Sequence, residues 1–249
     1  MKKISLLLTV TLSILSLSHA YALDINVVNG TSPAGGYLPL SLFGIAPIAG
    51  VGDETITNFD VPSFSYAGES WTRIGIVSNG YLVVGGGTDA DVQFINPPMP
   101  NNAGPNNILA PFWTDLNPSF GGEMRIGVLT DGINSWIVTD WQAVVNYNDR
   151  QPNSFEVWLG IGSVEDISFA YGLVSAGDLG FLTVGAEDKT GTVGDSYYFN
   201  GFGTLPVEGT MLQVISSGLP VNPIPEPSTM LLIVSGLVGA AGLRRRFRK

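Results

Sequence analysis

Carboxylates are the groups through which this chain could do chemistry. Asp140, Glu156 and Glu187 fall on neighbouring stretches that alternate like strands, and two acids about 5 to 10 Å apart suffice to hydrolyse a glycosidic bond. Composition closes the other routes. The 249 residues include no cysteine and one histidine, His19, which belongs to the N-terminal leader described below. The remainder therefore cannot build a Ser-His-Asp or Cys-His site, an imidazole or thiolate zinc site, a disulfide or a cysteine-linked haem. No spacing singles out one acid pair, so a solvated acidic face is the simpler reading, and no catalytic residue is assigned.

Binding asks less of the chain than catalysis. Hard cations want clustered oxygens, and Asp89-Ala90-Asp91 or Glu187-Asp188 followed by Asp195 in a glycine-rich loop offer them. Neither follows the twelve-residue helix-loop-helix pattern, and an ordinary β-turn between Asp188 and Asp195 accounts for the second. Those two acids are the calcium candidates, and no other cofactor is expected. Sugars stack on flat aromatic rings beside groups that accept their hydroxyls. Strand alternation places Trp158 with Ser154 and Glu156, opposite Phe155 and Val157, and places Trp136 with Asn134 and Asp140. Trp136, Trp158 and Glu156 are thus the candidates for an outward-facing glycan surface, while Trp71, Trp113 and Trp141 are assigned to the interior.

The elements that must carry these side chains read as strands. Met124, Ile126 and Val128 alternate with Arg125 and Gly127, and Phe155, Val157 and Leu159 with Ser154, Glu156 and Trp158. The same period puts Ile167, Phe169, Tyr171, Leu182, Val184, Ala186, Leu212 and Val214 on inward faces. Ser78-Asn79-Gly80 and Thr130-Asp131-Gly132 suit tight hairpin turns, whose backbone needs positive φ. One all-β domain, an antiparallel β-sandwich, is expected over residues 23–216. Leu23 to Gly52, with its prolines and glycines, reads as edge strands or an irregular lead-in. Asn96 to Asn107 reads as a long surface loop, and 217–224 as a linker.

Both ends read as addresses. Lys2-Lys3, an apolar run through Leu17 and the small residues Ala20 and Ala22 form a signal peptide over residues 1–22, cut after Ala22. At the other end stand Pro225-Glu226-Pro227, the apolar run Met230 to Leu243 and Arg244-Arg245-Arg246-Phe247-Arg248-Lys249. Positive charge after an apolar stretch stays in the cytoplasm, so the domain lies outside. Fourteen residues at 230–243 are fewer than the about 20 of a permanent span. Residues 225–249 resemble the PEP-CTERM sorting signal: a Pro-Glu-Pro motif, a short transmembrane helix and a basic tail. The resemblance implies export by a Gram-negative bacterium that makes exopolysaccharide. It further implies transient inner-membrane anchoring, processing at Pro225, Glu226 and Pro227 by an exosortase, and release to the cell surface or matrix.

A second likeness covers the body. Leu38 to Gly44, Val77-Ser78-Asn79-Gly80-Tyr81, Pro105 to Pro118 and Thr183 to Asp188 are together similar to an accessory β-domain. That domain follows the catalytic domain in some secreted subtilisin-like serine peptidases. It speaks for fold, since fold alone does not carry function.

Charge narrows the partners. From 23 to 224 there are twenty acids against four bases, sixteen net negative charges, so nucleic acid is excluded as a partner because phosphate binding rests on cations. The expectation is a non-enzymatic surface or matrix component. Its partners are signal peptidase and exosortase during export, and exopolysaccharide or biofilm matrix afterwards. The alternatives are a carboxylate-dependent glycan hydrolase and an accessory module of a separate secreted peptidase.

Overall fold

The computed structural model describes residues 21–162, 164, 166–216 and 219–220. Two strands of two residues each, β1 (Tyr21–Ala22) and β15 (Leu219–Pro220), pair antiparallel in one unit of their own. Ala20, the Pro225-Glu226-Pro227 motif, the apolar run 230–243 and the basic tail lie outside the described residues. Among the described residues no helix is long and apolar enough to cross a membrane.

Residues Leu23–Gly218 form the other compact unit, and it is all β. Its first sheet holds seven strands. These are β3 (Ile56–Tyr66), β4 (Glu69–Val77), β5 (Tyr81–Val84), β6 (Ile108–Trp113), β11 (Thr183–Glu187), β12 (Gly194–Phe199) and β13 (Phe202–Gly203), in the spatial order β13-β12-β11-β6-β5-β4-β3. The second holds six: β2 (Asn26–Asn29), β7 (Glu123–Thr130), β8 (Ser135–Val145), β9 (Pro152–Gly160), β10 (Ile167–Tyr171) and β14 (Met211–Ile215), in the order β2-β14-β10-β9-β8-β7. Neighbouring strands are antiparallel throughout.

The period-two pattern explains the packing between the sheets. Phe155, Val157 and Leu159, with Ile137 and Trp141 from β8, meet Leu82, Leu109, Phe112 and Val184 from the other sheet in one buried core. Phe155 stacks between Phe112 and Trp141, ring centroids 5.1 and 5.0 Å away. Large aromatics with polar tips need partners when buried, and they find them on the opposite sheet. Trp141 Nε1 donates to the Val77 carbonyl at 3.1 Å and the Tyr171 hydroxyl to the Pro111 carbonyl at 2.6 Å. Of the residues assigned inward, Val128 departs, half-exposed on the edge strand β7.

The β4–β5 turn needs its glycine. Gly80 has φ +80°, and a Cβ there would stand 2.0 Å from the Phe112 carbonyl oxygen. The backbone of the neighbouring strand thus packs where any side chain would sit.

Each sheet also has its outer face strapped. On the seven-stranded sheet, Tyr81, Val83, Ile108 and Trp113 are buried beneath the segment that follows the short 3-10 turn Asp89–Asp91. Trp113 Nε1 donates to the Gln93 carbonyl at 2.9 Å, and the Tyr81 hydroxyl to the Asp91 carbonyl at 2.7 Å. Asn96 and Met99, expected in a surface loop, are buried for this reason. On the six-stranded sheet the lead-in lies across β7–β9. It carries a 3-10 turn, Leu40–Phe43, and packs Leu38, Leu40 and Ile45 on Trp136, Val138 and Trp158.

Candidate functional site

Asp140 and Glu156 face each other directly across the β8–β9 ladder. Glu187, by contrast, sits on β11 in the other sheet, so the three carboxylates do not form one site. Asp140 and Glu156 point to the outer face, yet both are buried beneath the N-terminal strap. The strap is tied to them: the Tyr37 hydroxyl and the Leu40 N–H donate to the two oxygens of Asp140 at 2.9 and 3.0 Å. The Leu38 N–H and Trp158 Nε1 both donate to Glu156 Oε2 at 3.1 Å, and Glu156 Oε1 has no partner. Burial, then the neighbouring Asp140 charge, pushes the Glu156 carboxyl up to about 8. Burial also raises Asp140, to about 6, against the pull of Leu40, Tyr37 and Arg125. Burial and the like charge beside it therefore both favour the protonated form of Glu156, since two buried like charges oppose ionisation together. As placed, these carboxylates fasten a chain segment.

Trp136 and Trp158 take the face that alternation assigns to them, but not the exposure. They are 6% and 2% exposed, their rings 6.2 Å apart edge to face, under Leu38 and Leu40. The outward glycan platform is corrected to a covered cluster, because the lead-in supplies apolar cover for indoles that would otherwise face water. What stays open beside them is a hollow of about 160 Å³ against Pro33, Phe43 and Leu129. Trp136 Nε1 is taken up by Asp166 at 3.1 Å.

Asp188 and Asp195 serve different neighbours. Asp188 organises its own turn: Oδ1 accepts from the Thr192 and Val193 N–H groups, both at 3.1 Å, and Oδ2 from the Thr190 hydroxyl at 2.7 Å. Burial pushes its carboxyl up, but these hydrogen bonds outweigh it and hold the group below its usual range. Asp195 lies on β12, where Oδ2 accepts the Val27 N–H at 2.9 Å. Glu187 Oε2 accepts the Asn101 N–H at 2.7 Å, and burial raises that carboxyl to about 7.

Loops far apart in sequence build a different feature at one end of the sandwich. A cavity of about 350 Å³ opens between the end of β6 (Thr114, Asp115), the β8–β9 turn (Asn148), the β10–β11 loop (Asp178 to Phe181) and Phe94 to Asn96 of the second strap. Thr114 knits the end together, donating to the Phe181 carbonyl at 2.6 Å and accepting the Asp178 N–H at 2.8 Å. Asp178 receives the Asn148 and Asp149 N–H groups at 2.9 and 3.2 Å. Asp115 comes within metal-ligand reach of Asp53 and Glu54, the oxygens of the three all within 4.8 Å of one another. Burial, then the charges of Glu54, Asp178 and Asp53, raises Asp115 to about 6. None of these residues was singled out from the sequence as a site residue, although Asn79 and Asp115 fall inside blocks that the sequence made conspicuous. Asn79 joins those blocks, donating to Glu54 at 3.0 Å and accepting the Leu116 N–H at 3.1 Å.

With the geometry in place, comparison with known families is decisive at the level of family. A model described as NIDO related matches residues 33–212, from the first strap to the start of β14, and so covers both straps, the end cavity and every strand of the two sheets except β2 and most of β14. The chain belongs to the NIDO-related family. Behind this NIDO-related domain, residues 223–246 match the PEP-CTERM protein-sorting motif, which contains Pro225-Glu226-Pro227. The protein is thus an exported substrate of an exosortase-type sorting system. No curated protein and no solved structure matches the chain significantly. The likeness of the NIDO-related domain to the accessory domain of subtilisin-like peptidases is not supported by any of these matches.

Proposed function

We propose that this protein is a non-enzymatic component of the extracellular matrix, held for a time at the inner membrane by residues 230–243, cut near Pro225-Glu226-Pro227 and associated with exopolysaccharide. The observation that carries the reading is the sorting motif behind a NIDO-related β domain. The side chains support it as well. The carboxylates best suited to hydrolysis, Asp140 and Glu156, are engaged by the backbone and tyrosine of the strap, and neither lines the cavities at Asp115 or Trp136. Sixteen net negative charges keep such a domain soluble and suit cation bridging within a gel.

The test is to mix the mature exported protein with exopolysaccharide of the producing organism, with and without calcium, scoring co-sedimentation and new reducing ends together. Co-sedimentation without new ends is the expected result, and a calcium requirement would point to bridging acids. New reducing ends that vanish in Asp140→Asn or Glu156→Gln would replace this reading with a glycan hydrolase. Absence of both signals would leave a protein partner.

A further inference from the structure

We propose that the cavity at the end of the sandwich binds an amino sugar of that exopolysaccharide, with Asp115 receiving its ammonium group. The inference rests on the matrix reading and adds a site and a sugar class to it. The cavity's about 350 Å³ falls in the range of small-molecule sites. Its chemistry is graded with depth. Phe94, Ile95 and Phe181 on the rim are each at least half exposed, an apolar cluster that water does not favour. Asp178 behind them is buried, and Asp115 lies half-sunk in the wall. Two phenyl rings at the mouth offer the faces on which a pyranose stacks, and the acids behind them offer acceptors.

Asp115 decides the charge of the ligand. Its carboxylate accepts no hydrogen bond from any described residue, and its Oδ1 is a buried orphan. The charges that act on it, from Glu54, Asp178 and Asp53, are all negative. Of the domain's cations, Arg73 pairs with Asp60, Arg125 with Glu123 and Lys189 with Glu69, while Arg150, stacked over the Phe120 ring, acts on Asp53 and is not among the charges felt by Asp115. A buried carboxylate oxygen without a partner is costly, and a protonated amine supplies both the countercharge and the donor. An acidic polysaccharide, by contrast, would be repelled by the body's net charge as well as by this wall.

Titration calorimetry of the mature protein with a glucosamine tetramer and with its N-acetylated counterpart tests the proposal. Binding of the first, about tenfold or more tighter than the second, is expected from one charge-assisted hydrogen bond. Asp115→Asn should erase the preference while leaving the fold intact, because the Asp115 side chain holds no described hydrogen bond and its backbone carbonyl, which accepts the Tyr147 N–H, is unchanged, and Phe181→Ala should weaken both ligands. Equal affinities, no binding, or an unchanged preference in Asp115→Asn would overturn the proposal. So would calcium binding at Asp53, Glu54 and Asp115 without sugar binding, or displacement of the tetramer by a lysine-bearing peptide at lower concentration. If native exopolysaccharide still co-sediments when the tetramer does not bind, the site assignment fails and the matrix reading stands. If neither binds, both fail.

Discussion

At the residue scale the Asp140–Glu156 pair shows how one position can look catalytic in sequence and act as a fastener in the fold. Outward parity on adjacent strands was legible, since the alternation around Phe155 and Val157 dictates it. The cover was not, because the strap is held by backbone N–H groups and a tyrosine hydroxyl, which leave no periodic trace. The like charges set a testable sign. Glu156→Gln keeps an oxygen for Leu38 and Trp158 but cannot ionise, so the variant should melt higher than wild type at pH 8.5 and close to it at pH 5. Equal differences at both pH values would contradict a raised Glu156. Trp158→Ala should cost about 3–5 kcal/mol by urea denaturation, as for a buried core indole. A cost near zero would return Trp158 to the surface.

Hairpins and straps carry the account at the scale of elements. Turn chemistry identified the β4–β5 and β7–β8 hairpins, since Asn-Gly and Asp-Gly announce positive φ. The value of Gly80 comes from the strand behind it: Gly80→Ala should lower soluble expression and the melting temperature sharply, because its Cβ would collide with the Phe112 carbonyl. Little change would mean that β5 and β6 sit further apart. Tyr37→Phe should cost about 1–3 kcal/mol, the price of leaving one buried Asp140 oxygen without its donor. Protease cutting within residues 33–45 should rise in that variant, and unchanged cutting would argue against the strap's tie. The end cavity was not legible, because it draws on four segments separated by up to 87 residues, Phe94 to Phe181, with no shared motif.

For the whole molecule, the raised carboxyls act in one direction. Glu156 at about 8, Glu187 at about 7, and Asp140 and Asp115 at about 6 are all lifted first by burial. Between the ordinary carboxylate range near pH 4 and these values the folded protein holds protons that the unfolded chain has released. Stability is therefore fullest below about pH 4 to 5 for these groups and declines as pH rises through 6 to 8. Asp188, held low by its turn, works in the opposite sense but only in acid. Melting curves should accordingly show a higher transition at pH 5 than at pH 8.5, and the reverse order would contradict the burial of these acids. Export places such a domain outside the cell, where pH is not buffered by the cytoplasm.

The sorting claim joins the two halves of the chain, and the intact mass of the exported protein tests it most directly. Mass spectrometry of protein released by the producing organism should show a chain that begins at Leu23 and has lost Arg244 to Lys249, with full-length tail accumulating in the membrane fraction when the exosortase is deleted. A released protein that retains Arg244 to Lys249, or release unaffected by that deletion, would contradict the account.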